Sequence, residues 1–273
     1  MQSGILQVEG ADIYWQSHGE GAAIVLAHGI GGNHAIWFRQ LGPLSAANRI
    51  ITFDHRGFGL SVDRDGRGRA GFADDLHALL DHLGVDRAML IGQSMGAGTC
   101  INFACRWPER VAALAIADSL HGIVEPDEVR PLMDAARAAT AGLDQIDRVL
   151  GARARATDPA LEILYSQINS FNSADRHSLV GVFERHTPER LSALGCPILF
   201  VAGVEDILFP IAAIRRVQAS VSGSFLVEIV EAGHSAFLER PIEFNDTILT
   251  LAQIAGHVGA RAAHSNAPGY AAA

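Results

Sequence analysis

The chain is poor in cysteine, has no long apolar run and carries no block of basic residues, and each shortage argues against a class of protein. Its three cysteines, Cys100, Cys105 and Cys196, are sparse and odd in number. That count does not make a disulfide framework and fits a reducing cytoplasm, the expected location. Cys100 and Cys105 fall in an apolar helical pattern, where buried, inert thiols are the default. No stretch reaches about twenty apolar residues, so no membrane span is expected. Met1-Gln2-Ser3-Gly4 does not lead a basic region followed by an apolar stretch, so no secretory signal is expected either. A formal net charge of -9 without clustered basic residues argues against a nucleic-acid partner. The run Arg64, Arg67, Arg69 is interleaved with Asp63 and Asp65 and reads as a solvated loop. No H-E-x-x-H occurs and no metal site is expected. Internal repeats are absent.

What is present is a core-forming chain. Nearly half of the 273 residues are hydrophobic, enough for a sizeable interior. Ile5 to Val8 and Asp12 to Trp15 read as short strands, expected to be antiparallel. Ala23 to Ala27 is a continuous apolar run, and Arg49 to Phe53 and Ala88 to Ile91 read as two further short strands, each ending in or near glycine. Such runs are what a parallel sheet covered on both faces produces. Phe72, Leu76, Leu79, Leu80 and Leu83 form one helical stripe. Ala97, Cys100, Ile101, Ala104 and Cys105 form another, which Pro108 stops. Alternating strand and helix predicts an α/β fold with a doubly wound, mostly parallel sheet.

After the strand Ala112 to Ala117 the alternation breaks. From about Ser119 to Arg190 the pattern is helical, and strands resume at Pro197 to Ala202 and Phe225 to Val230. Roughly seventy residues is too long for one crossover. The reading is a helical cap insertion, 119–190, over a core made of 1–118 and 191–256. The Ala-rich segment 257–273 is expected to be a disordered tail.

Gly92-Gln93-Ser94-Met95-Gly96 is a G-x-S-x-G pentapeptide between a predicted strand and a predicted helix, the context the motif requires. A tight turn there lifts the serine hydroxyl above the sheet, and small flanking residues avoid backbone collisions. Gly96-Ala97-Gly98 could suggest a dinucleotide loop, but these glycines fall inside the helix and no acidic residue follows at the right place. No cofactor is expected. A serine hydroxyl needs a base, and His234, in Glu231-Ala232-Gly233-His234-Ser235 after the last strand, is the best placed of twelve histidines. The base needs an acceptor that fixes its tautomer. Asp206, after the strand ending near Gly203, gives the chain order Ser, Asp, His. Asp118, at the end of the strand after the pentapeptide, competes with it. Oxyanion donors are expected from the backbone N–H of Met95 and of Ile30, the latter in a glycine-flanked loop.

His28-Gly29-Ile30-Gly31-Gly32, Asp54-His55-Arg56-Gly57-Phe58-Gly59-Leu60-Ser61, the serine turn, Asp206 and Gly233-His234 occur in order and at usual spacing. Over about residues 5 to 255 the chain resembles the α/β-hydrolase superfamily, in the branch with a helical cap. The resemblance implies a small-molecule substrate and a structural role for Arg56. Relatives with aspartate at the nucleophile position, haloalkane dehalogenases and epoxide hydrolases, are disfavoured by Ser94. Ester or lactone hydrolysis through an acyl-enzyme is the first reading. A second is carbon–carbon bond hydrolysis of a dienol diketone, because such enzymes carry an arginine like Arg190 ahead of the acid-bearing strand. They usually have tryptophan after the histidine, where this chain has Ser235. A third, of a different class, is a catalytically slow small-molecule receptor. Trp37, Phe58, Met95, Phe171, Phe183 and Phe237 are candidate pocket walls, with Arg190, Trp37 and Phe237 singled out for substrate binding.

Overall fold

The short apolar runs become strands of one sheet that helices cover on both faces. The structure is a computed structural model that describes residues 1–257. Of the expected tail, 258–273 lie outside the described residues, whereas the ring Nε2 of His257 sits 2.6 Å from the carbonyl oxygen of Ala23.

In chain order the strands are β1 (Gln2–Val8), β2 (Ala11–His18), β3 (Ala22–Ala27), β4 (Asn48–Phe53), β5 (Val62–Asp63), β6 (Ala88–Gln93), β7 (Val111–Ala117), β8 (Ile198–Gly203) and β9 (Phe225–Ile229). The nine-stranded sheet runs β1-β2-β4-β3-β6-β7-β8-β9, with β5 paired to β2. β2 is antiparallel to its neighbours, and every pairing from β4 across to β9 is parallel. β5 has only two residues and no apolar run announces it.

Helices α1 (Phe38–Ser45), α2 (Phe72–His82) and α3 (Met95–Arg106) alternate with the early strands. Between β7 and β8 the chain forms α4 (Arg130–Thr140), α5 (Gln145–Val149), α6 (Ala152–Thr157), α7 (Pro159–Asn169) and α8 (Pro188–Ser192). The alternation then closes with α9 (Ile211–Ser220), α10 (Ala236–Glu239) and α11 (Pro241–Ile254). The helical insertion expected after β7 is therefore present.

Successive strand residues point to opposite faces. Val25 packs with Leu76, Leu79 and Leu80 of α2 and Cys100, Ile101 and Phe103 of α3. Ile24 and Leu26 face the other way, toward Leu44 of α1 and Phe244, Ile248 and Leu251 of α11. Burying each such side chain contributes about 1.5–3 kcal/mol relative to exposure. From β3 the chain steps to β4 on one side and later to β6 on the other, so Ala27 pairs with Gly92 at the point where strand order reverses. The carboxyl ends of strands at such a point border a crevice suited to ligands.

Candidate active site

The turn between β6 and α3 holds Ser94 at φ 51°, ψ -117°, a conformation that side chains rarely adopt. The flanking glycines make this possible by near-contact. A Cβ at Gly92 would lie 2.4 Å from the carbonyl oxygen of Gly96, and one at Gly96 would lie 2.0 Å from that of Ala27. The Ser94 N–H donates to Ala117 O at 2.9 Å, and Ser119 Oγ donates to Ser94 O at 2.8 Å. The turn is thereby fastened to the end of β7.

His234 follows β9. Its Nδ1 is 2.9 Å from Asp206 Oδ2, and the carboxylate partner assigns the ring proton to Nδ1. Asp206 Oδ1 accepts from the N–H groups of Leu208 at 2.7 Å and Phe209 at 3.1 Å, so the carboxylate has one oxygen fixed by main chain and one on the imidazole. Phe209 stacks on the His234 ring, with centroids 5.7 Å apart. Asp118 does other work. Its two oxygens accept from Gly203 N at 2.8 Å and Ala236 N at 3.3 Å. Burial, with the nearby Asp206 charge second, holds its carboxyl well above the usual carboxylate range.

Ser94 and His234 share the wall of a cavity of about 470 Å³ with Ile30, Phe183, Leu208 and Phe209. Among the described residues no hydrogen bond joins the Ser94 hydroxyl to His234. Such contacts are often long in a resting site and tighten around a reacting group.

The loop after β3 brings Ile30 to this cavity. Its preceding peptide is held from behind. The Gly29 oxygen accepts from Gly32 N at 3.1 Å and lies 2.8 Å from His28 Nδ1. A trans peptide directs its N–H opposite to its C=O, so the Ile30 N–H is aimed away from those contacts. His28 Nε2 in turn accepts from the His55 N–H at 3.1 Å, and His55 Nε2 lies 2.9 Å from Thr99 Oγ1. Burial pushes His28 down to about 4, and burial followed by the His28 charge pushes His55 well below the ordinary imidazole value. Both rings stay neutral near pH 7.

Two site-supporting residues escape sequence reasoning. Gln93 Nε2 donates to His234 O at 2.9 Å, tying the serine turn to the histidine loop. It stands at a variable position of the pentapeptide, so no signal marks it. Glu239 accepts from Gly233 N at 2.9 Å and Ser235 N at 3.2 Å. Its place one helical turn past Ser235 is the only hint the sequence offers.

The expected wall residues divide between the large cavity and the core. Trp37 and Phe237 are buried with ring centroids 4.6 Å apart, packed on each other rather than on the large cavity. Phe58 and Met95 are fully buried, and Phe171 is exposed. Phe183 lines the cavity. Arg190 does not reach it: its guanidinium donates to Cys105 O at 2.7 Å at the far end of α3. Arg56 is buried and donates to both oxygens of Asp75, at 2.8 and 2.6 Å, a structural pairing. No helix among the described residues is long and apolar enough to cross a membrane, and no group of three or more metal-ligating side chains occurs among them.

Comparison with known proteins follows the same lines. A family model described as the alpha/beta hydrolase fold matches residues 22–156. The solved structure of Est816, described as an N-acyl homoserine lactone degrading enzyme, is similar with a TM-score of 0.76 and 31% identity, covering 90% of this chain and 99% of that one. A protein provisionally named carbamate hydrolase RutD, from Caulobacter sp. (strain K31), is 28% identical over 267 residues, 91% of this chain and 97% of its own. A thermophilic esterase from Thermogutta terrifontis, at 23% identity, shares the fold with a TM-score of 0.79 over 94% of this chain and all of that one.

Proposed function

The chain belongs to the α/β-hydrolase superfamily, and on that premise we propose that it is a serine hydrolase that cleaves a small ester or lactone through an acyl-enzyme on Ser94. The observation that carries this reading is the His234 Nδ1 to Asp206 Oδ2 contact of 2.9 Å, on a histidine that shares its cavity with Ser94.

With its Nδ1 proton held by Asp206, His234 keeps Nε2 free to take the Ser94 proton as the oxygen attacks the carbonyl carbon. The oxyanion that forms is met by two main-chain donors. One is the Ile30 N–H; the other is the Met95 N–H, at the start of α3, where helix amides have no partner within the helix. The imidazolium then returns the proton to the leaving alkoxide. Water, deprotonated by the same ring, attacks the acyl carbonyl carbon and frees the acid and Ser94. In a lactone the leaving oxygen stays tethered to the acyl group, so one hydroxy acid is released.

Two further elements belong to the same reading. Residues 1–118 and 191–256 act as the hydrolase core, and 119–190 act as a cap whose α4 and α5 residues, among them Met133 and Gln145, help enclose the cavity. The carbon–carbon alternative lacks a supporting observation, since Arg190 is engaged on Cys105 O. The test is a panel of p-nitrophenyl esters and lactones run with wild type and Ser94→Ala. Ser94→Ala is expected to lower kcat by at least about three orders of magnitude; a variant within tenfold of wild type would discard the serine mechanism.

A further inference from the structure

The chain has a formal net charge of -9, yet the cavity over Ser94 is walled by arginine. Arg69, Arg137, Arg148, Arg176 and Arg185 all line it, and Glu125 is the carboxylate among the lining residues. Arg137 is already matched, to Glu125 at 2.5 Å and Asp134 at 2.8 Å. The other four make no salt bridge among the described residues. Arg148 donates to Thr140 O at 2.6 Å, Arg176 to Leu143 O at 3.2 Å, and Arg69 to Leu179 O at 2.9 Å. These main-chain contacts fix the guanidinium planes without neutralising them.

Two of these cations disfavour each other. Burial, with the Arg176 charge second, holds Arg148 below the ordinary arginine value. The cavity field reaches further: burial, then Arg69, with His234, Arg137 and Arg185 adding to it, pushes His121 on the same wall down to about 3. Half-buried like charges turned toward one space are unfavourable alone and become favourable around a shared anion. A planar guanidinium suits a carboxylate, to which it can donate two parallel hydrogen bonds. The volume of about 470 Å³ holds a small molecule, not a polymer.

We infer that Arg148 and Arg176 form a carboxylate subsite, and that the substrate is a small ester or lactone carrying a free carboxylate away from the scissile bond. The fate of the ligand rests on the serine-hydrolase reading above; the binding of the anion does not.

The test has two arms. In the first, glutarate, neutral glutaramide and inorganic phosphate are titrated calorimetrically into full-length Ser94→Ala protein. Glutarate is expected to bind at least about tenfold more tightly than glutaramide, the discrimination one charge-assisted hydrogen bond supplies. Arg148→Gln and Arg176→Gln, each added to Ser94→Ala, should each remove that preference. Glutarate binding no better than glutaramide overturns the subsite, and this comparison needs no arginine variant to fold. Phosphate binding as tightly as glutarate overturns the carboxylate assignment. In the second arm, wild type is offered p-nitrophenyl hemiglutarate and p-nitrophenyl butyrate. A kcat/KM ratio of about ten or more in favour of the hemiester is expected, and a ratio of one or less contradicts the proposal. Failure of the serine reading looks different: Ser94→Ala would still hydrolyse esters, while glutarate would still bind.

Discussion

The side-chain amide of Gln93 donates to the carbonyl oxygen of His234 at 2.9 Å, joining the serine turn to the histidine loop across 141 positions of sequence. The two loops leave different strands, so nothing in the chain's local order holds them in register. This bond, with Glu239 gripping the amides of Gly233 and Ser235, holds the histidine loop against the serine turn. Gln93→Ala leaves a buried carbonyl without its donor. Expected are a loss of about 1–3 kcal/mol in stability and a fall of about tenfold in kcat with a smaller change in KM. Unchanged kcat in a folded variant would remove Gln93 from the positioning of the base.

The two aspartates behind the site should separate cleanly. Asp206→Asn disturbs the partner of His234 Nδ1 and should cost about three to four orders of magnitude in kcat with a modest effect on stability. Asp118→Asn disturbs acceptors for Gly203 N and Ala236 N and should appear mainly as lost stability, about 1–3 kcal/mol. Paired kinetics and denaturant unfolding decide it. If only the Asp118 change abolishes activity, the assignment is reversed.

Two glycines predict opposite outcomes for one substitution. A Cβ at Gly96 would stand 2.0 Å from Ala27 O, backbone that cannot yield, so Gly96→Ala should cost more than about 3 kcal/mol or leave no soluble protein. Gly142, just past α4, has nothing within 4 Å of a built Cβ and is not among the glycines at positive φ, and Gly142→Ala should raise stability by about 0.4–1 kcal/mol. Melting temperatures of the two variants check both signs.

The buried imidazoles behind the Ile30 loop set a pH limit. His28, lowered by burial to about 4, and His55, lowered further below its ordinary value, are neutral in the fold but take up protons in the unfolded chain near pH 6.5. Their contribution to stability is complete above pH 6.5 and is lost as pH falls toward 4, by about 2 kcal/mol at pH 5 for His28. Asp118 and Glu239, both raised chiefly by burial, act in the opposite sense on acidification. The direct check is therefore the rings themselves. Their 15N resonances should keep neutral-tautomer values down to pH 5, and protonation of His28 above pH 6 would contradict the account.

Local signals carried most of the fold and the proposed reacting groups. β3, β4, β6, β7 and β8 lie where the sequence shows short, largely apolar runs, because both faces of the sheet are covered. Ser94 and His234 were legible because a tight turn and a close-approach loop leave glycine on either side or just before. Non-local features were not legible. The arginines of the cavity run from Arg69 to Arg185 and meet only through the insertion, so no basic cluster exists in sequence. Arg64 and Arg67 are exposed as a solvated loop requires, but Arg69, next in the same run, turns inward to the cavity. Trp37 packs on Phe237 in the core, and sequence shows an apolar ring but not whether it fills the core or a cavity wall.

The central claim is that Ser94 is a nucleophile activated in place, and active-site labelling tests it most directly. Full-length protein treated with a fluorophosphonate at neutral pH and analysed by intact mass and peptide mapping should gain one adduct, on Ser94. His234→Ala should label at least about a hundredfold more slowly. Folded wild-type protein that stays unmodified, or that carries its adduct on another residue, contradicts the account.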